Sequence, residues 1–152
     1  MPENQTPQLI YLEDLSVGDI FVSKTHAIDA EQIIAFATQF DPQPFHLDAD
    51  AARGTLFQGL AASGWHTAAL TMKLLVESFP VARGVIGAGA EVAWPQPTRP
   101  DDVIKATSTV LSITPSRSKP DRAIVVVETV TSNQRDEALQ KLTSKVVVFR
   151  RS

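Results

Sequence analysis

The sequence predicts an α+β domain in which an antiparallel sheet wraps around a long central helix. Three observations carry this expectation. Residues 59 to 79, GLAASGWHTAALTMKLLVESF, place apolar residues at helical spacing and are apolar over much of the circumference, which is the pattern of a buried helix. Four runs rich in Val, Ile and Thr follow with short connections, which favours antiparallel pairing in a meander. The 152 residues, 43% apolar and 20% charged, suit one domain with its own core. One buried helix against one long sheet makes two layers.

Taken in order, residues 1–14 read as a loose N-terminal segment and 15–152 as a single domain. DIFVSKTHAID, 19 to 29, is rich in β-branched and aromatic residues and reads as a strand. Asp29 opens a helix, with Gln32 three positions on as in a capping box and Glu31 in the first turn, facing the positive end of the helix dipole. Ile33, Ile34, Ala37 and Phe40 share one face of it. Pro42 ends that helix, because it disfavours helical backbone at Asp41. A short helix starts at Asp48. The long helix is expected to bury Ala61, Trp65, Ala68, Met72, Leu75, Val76 and Phe79. The strand runs are GVIGAGAEVAW, DVIKATSTVLSITPS, RAIVVVETVTSN and EALQKLTSKVVVFR, with a polar hairpin turn at Asn133–Asp136.

Composition removes several function classes. A net charge of −3 argues against nucleic acid as a partner, since phosphate binding wants a basic face. With no cysteine there is no disulfide, thiolate metal site or Cys nucleophile. The opening stretch lacks a basic start and an apolar run, and nothing approaches the roughly 20 apolar residues of a membrane span, so a cytoplasmic protein with no membrane partner is expected.

The stretch Asp41-Pro42-Gln43-Pro44-Phe45-His46 carries the chemistry. Two prolines fix φ at two of the four positions between a carboxylate and an imidazole. Two groups of different pKa held at fixed separation suit acid–base work on one small reactant such as water. The plainer alternative is a proline-terminated helix end with a hydrogen-bonded His.

FDPQPFHLDADAA resembles the hydratase-2 signature of the MaoC-like dehydratases and (R)-specific enoyl-CoA hydratases, matching it at Asp41, Pro44, Phe45, His46 and Asp48. GLAASGWHTAAL resembles the family's entry to its central helix. The segment from EVAWPQPTRPDD onward resembles its strands, so that the likeness spans residues 15 to 150. The resemblance implies the hot-dog fold and a homodimer whose active sites lie where two subunits meet. It implies an acyl-CoA or acyl-carrier thioester substrate, as in fatty acid metabolism, with no cofactor. Asp41 and His46 would activate one water for reversible syn addition to a trans-2-enoyl thioester. Gln43 stands where the family has Asn, beside Pro44 in the substrate loop, and its extra methylene bears on geometry or substrate. Addition builds charge on the thioester oxygen, and a backbone N–H at a helix start can stabilise it. The resemblance points to Gly64 as that donor with Ser63 as neighbour; tight packing is the competing reason for small residues there.

Other residues are read as structural. His66 is expected to be a core histidine, and His26 has no companion. Asp48 is an N-cap rather than a metal ligand beside His46 and Asp50, and no metal site is expected. Ser63 lacks the G-x-S-x-G setting of a hydrolase. The basic loop 115 to 122, with Arg117, Lys119 and Arg122, could meet carrier phosphates but is more simply a solvated loop. Two rival functions share the fold: an acyl-CoA thioesterase, with Asp41 directing water at the carbonyl, and a non-catalytic acyl-CoA-binding subunit.

Overall fold

The computed structural model describes residues 8–152. Its elements are β1 (Ile20–Val22), β2 (His26–Ala27), α1 (Ala30–Phe40), α2 (Pro44–Leu47), α3 (Ala49–Ala52), α4 (Gly64–Ser78), β3 (Ile86–Ala93), β4 (Val103–Pro115), β5 (Arg122–Ser132) and β6 (Ala138–Phe149). The sheet is antiparallel, in the order β1-β4-β5-β6-β3, with β2 also on β4. It packs on α4, so the α+β hot-dog architecture is present. Among the described residues no helix is long and apolar enough to cross a membrane.

Local signals act where they were expected. Asp29 caps α1, its carboxylate accepting from Gln32 N–H at 2.9 Å. The Gln32 side chain does not complete the box but turns to His26 Nε2 at 2.8 Å. Asp48 caps α3, accepting from Asp50 N–H at 2.7 Å. The 133–136 turn closes on Asn133, whose Oδ1 accepts from Arg135 and Glu137 N–H at 2.9 and 3.0 Å.

Five expectations change. The single strand over 19 to 29 is two short ones, because Ser23 Oγ takes Ala106 N–H (2.8 Å) in place of a backbone carbonyl and breaks the ladder. Residues 44 to 47 are not plain loop but a helical turn, with Pro44 in the first-turn position where its missing N–H costs nothing. Of the segment expected to be loose, 1 to 7 lie outside the described residues. From Ile10 the chain is tied down: Ile10 N–H donates to Pro80 (2.9 Å), Ala82 N–H donates to Ile10 (2.8 Å), and Leu12 is buried.

The fourth change concerns α4, which starts at Gly64 and not at Gly59. Its buried side holds His66, Thr67, Thr71, Leu74 and Leu75, while Trp65, Met72 and Val76 are exposed and Ala68 is half-buried. The reason lies in what faces the helix, since the sheet and the connection from β3 to β4 both offer it hydroxyls. Thr71 pairs with Thr131 at 2.6 Å and Thr67 with Thr98 at 2.8 Å, so buried polar groups satisfy one another. The apolar core lies toward the helix C-terminus, where Leu75 and Phe79 meet Val110, Val125, Val127, Val146 and Val148.

The fifth is the place of β3. A consecutive meander would set it beside β4, but it pairs with β6 at the opposite edge. The connection 94 to 102 must therefore cross the end of the sheet, past the N-terminus of α4. That crossing builds the cavity described next.

Candidate active site

Asp41 closes α1, donating its N–H to Ala37 at 2.9 Å. Pro42 and Pro44 then turn the chain into α2, which carries His46 on its inner side, 4% exposed. The imidazole Nδ1 lies 2.6 Å from the Ala61 carbonyl. A carbonyl only accepts, so Nδ1 carries hydrogen and Nε2 is the ring atom that can exchange a proton. Nε2 faces Asp41 Oδ2 at 3.3 Å. The two side chains converge in direct contact, closer than a water's width.

Asp41 has two further donors. Ser63 Oγ donates to Oδ2 at 2.7 Å, and Gln43 Nε2 donates to Oδ1. The extra methylene of Gln43 thus lets its amide reach back to the carboxylate two residues earlier. Burial pushes the Asp41 carboxyl up, but the hydrogen bonds from Ser63 and Gln43 and the neighbouring His46 together hold it below the ordinary value. Asp41 is an anion at neutral pH.

Ser63 is fully buried and is the N-cap of α4, accepting weakly from Trp65 N–H at 3.3 Å. Gly64 follows as the first helical residue. Among the described residues its N–H has no hydrogen-bond partner, and it lines the same cavity as Asp41 and His46. The cavity, about 630 Å³, is walled also by Thr67, Trp94 and Arg99.

Sequence reasoning missed the part of the site that comes from the crossing segment. The Trp94 indole lies against the start of α4, and its Nε1 donates to the buried Gln140 Oε1 at 2.9 Å. A Cβ on Gly64 would come within 2.7 Å of the indole. Gly64 is therefore glycine for close packing, and the free N–H is a second property of the same position. The one local sign of this role was a Trp just ahead of Pro95-Gln96-Pro97, which ends β3 and redirects the chain.

The remaining candidates lie elsewhere. His66 is buried, stacked on Phe36 at 4.6 Å, with no partner for Nδ1 among the described residues. Burial, and to a lesser degree His26, push its pKa down, so it is a neutral core residue. No group of side chains able to hold a metal occurs among the described residues. In the basic loop Arg122 pairs with Asp121 at 2.9 Å and stacks on Phe149. The 13-residue strand β4 lies between that loop and the crossing segment.

The Trp94 contact makes a test. Alanine is ordinarily the better helix former. Gly64→Ala should nonetheless cost about 1–3 kcal/mol, because a rigid ring cannot yield. In a Trp94→Ala background the same change should cost little. Urea midpoints of the four proteins measure this; a stabilised Gly64→Ala single variant would show that the indole does not press on the helix start.

Comparison with known proteins bears on the family and the fold. The MaoC like domain matches residues 17–133. The crystal structure of a MaoC-like dehydratase from Rhodospirillum rubrum is 62% identical, with a TM-score of 0.93 over 94% of this chain and 99% of that one. The R-hydratase PhaJ1 of Pseudomonas aeruginosa, in its unliganded form, is 25% identical, with a TM-score of 0.78 over 94% of this chain and 88% of its own. The uncharacterized protein YdeM of Bacillus subtilis (strain 168) is 32% identical over 128 residues, 82% of this chain and 89% of YdeM. With the family profile covering most of the chain, and with matching architecture, this protein belongs to the MaoC-like domain family of hydratases and dehydratases.

Proposed function

We propose that this protein is an enoyl-thioester hydratase, or in reverse a 3-hydroxyacyl-thioester dehydratase, that works by syn addition of water. The observation that carries the reading is the meeting of Asp41 Oδ2 and His46 Nε2, 3.3 Å apart, in a cavity also lined by Gly64, whose N–H has no partner among the described residues. A water on the cavity side of the pair gives a proton to the Asp41 carboxylate as its oxygen bonds to the β-carbon. The π electrons move toward the α-carbon and the thioester oxygen. The Gly64 N–H stabilises that oxygen, and Nε2–H of His46 delivers a proton to the α-carbon. The proton taken by Asp41 then passes from Oδ2 to Nε2, 3.3 Å away, which restores the pair; the net change is addition of one water, and no cofactor takes part. The likeness to an R-hydratase and to a MaoC-like dehydratase supports this reaction class over thioester hydrolysis.

A second copy of the chain belongs to the same reading. Trp65, Met72 and Val76 form an exposed stripe along α4. The stripe adjoins the edge strand β3, since Met72 lines one hollow with Gly87, Gly89 and Ala90. An unpaired edge next to an apolar helix face is a liability that two-fold pairing removes. Sedimentation at micromolar concentration should give about twice the chain mass, and a monomer with full activity would refute a shared interface.

The chemical test uses crotonyl-CoA. Loss of enoyl absorbance without free thiol indicates hydration; free thiol indicates a thioesterase; binding with neither indicates a non-catalytic subunit. Asp41→Asn and His46→Gln should each lower kcat by about 10² to 10⁴. The double variant should lose far less than the product of the two, because both residues serve the same proton transfers. Parent rates in both single variants, on a substrate the parent hydrates, would leave the pair a structural contact only.

A further inference from the structure

We propose that Arg99 recognises an oxyanion on the substrate, either a phosphate of its carrier or a carboxylate on its acyl chain. The inference rests on the thioester reading of this cavity and names a further determinant of what enters it.

Arg99 sits in the segment that crosses from β3 to β4 and lines the cavity with Asp41 and His46. Its guanidinium spreads over the chain leading into α4. Nη1 donates to the carbonyls of Gly59 (2.9 Å) and Leu60 (3.3 Å), and Nη2 donates to the carbonyl of Phe57. These carbonyls orient the group without neutralising it. Of the two carboxylates close to it in sequence, Asp101 makes no ion pair with it and Asp102 is engaged elsewhere: Asp102 accepts from the Arg99 backbone N–H at 2.8 Å and from Gln134 at 3.2 Å, and pairs with Arg135 at 3.8 Å. Among the described residues no carboxylate forms an ion pair with the Arg99 guanidinium. A permanent cation thus stands half-buried on the wall with Nε–H and one Nη2–H unspent.

Two features turn that cation toward a ligand. Among the described residues no Lys and no other Arg lines the cavity, and the basic loop 115 to 122 lies beyond the far end of β4. Arg99 therefore offers the one permanent cation among the described lining residues, a planar fork suited to carboxylate or phosphate. The ionised Asp41 in the same cavity repels such a group, which assigns the oxyanion to the Arg99 wall and leaves the uncharged enoyl carbons to Asp41 and His46.

Calorimetric titration of the parent protein and Arg99→Gln with four probes tests this: coenzyme A, pantetheine, succinyl-pantetheine and butyryl-pantetheine. At least one anionic probe should bind the parent about tenfold or more tighter than its neutral counterpart, the worth of a charged hydrogen bond. Arg99→Gln should abolish that margin and leave the neutral probe's affinity unchanged. A margin for coenzyme A over pantetheine identifies a phosphate, and one for succinyl- over butyryl-pantetheine identifies a carboxylate. In the parent the margin should also shrink as salt is added, a readout that survives even if Arg99→Gln misfolds. Equal binding of anionic and neutral probes by the parent, or equal loss of all probes in the variant, would make Arg99 a clamp on residues 57 to 60 and overturn the proposal. Binding is read apart from turnover. A parent that shows the margin yet hydrates no enoyl thioester sinks the hydratase reading and leaves the Arg99 site standing.

Discussion

The Asp41 carboxylate is the junction on which the site depends. Three elements send it a donor or a ring neighbour: Gln43 from the turn, His46 from α2 and Ser63 from the cap of α4. Burial alone would raise its pKa, and these partners outweigh burial. Because the folded-state value lies below the ordinary 3.8, the stabilisation from this group is complete above that value. It is lost as pH falls through the lower folded value. Ser63 also starts α4, so the group that holds the base ionised is the group that fixes where the helix and its free N–H begin.

The second constraint is topological. Pairing β3 with β6 and not with β4 forces residues 94 to 102 across the helix start. Gln140, fully buried on β6, fixes the Trp94 indole there, and the indole in turn permits only glycine at 64. Thr98 ties the crossing to the chain before α4, its carbonyl accepting from Ala62 N–H at 2.9 Å, and the Arg99 side chain reaches the same stretch. One wall of the cavity is thus a consequence of strand order, and its residues reach partners far away in the sequence, 46 positions from Trp94 to Gln140 and 40 from Arg99 to Gly59.

That distance marks how far the sequence could be read. Asp29 and Asp48 announced their helices through caps that act within three residues, and the four long strands were legible from composition. Asp41 and His46 were legible because the motif is contiguous. Gln43 was visible only as a departure from the family's Asn; that its amide returns to Asp41 depends on the turn over Pro42, closed by Gln43 N–H donating to the Asp41 carbonyl at 2.8 Å. Trp94, Arg99 and Gln140 gave no local sign of their partners. The exposed face of α4 differs from expectation for a related reason: Trp65, Met72 and Val76 declare apolar surface but not what covers it, whereas Thr67 and Thr71 are buried because the crossing segment and the sheet offer hydroxyl partners, Thr98 and Thr131.

The central claim is that Asp41 is an ionised base held so by donors from neighbouring elements, Ser63 foremost. Carbon-13 NMR titration of the Asp41 side-chain carboxyl, in the parent and in Ser63→Ala, tests it most directly. The account predicts a midpoint below the ordinary 3.8 in the parent and a rise when the Ser63 hydroxyl is removed. A parent midpoint at or above the ordinary value, unchanged by Ser63→Ala, would contradict it.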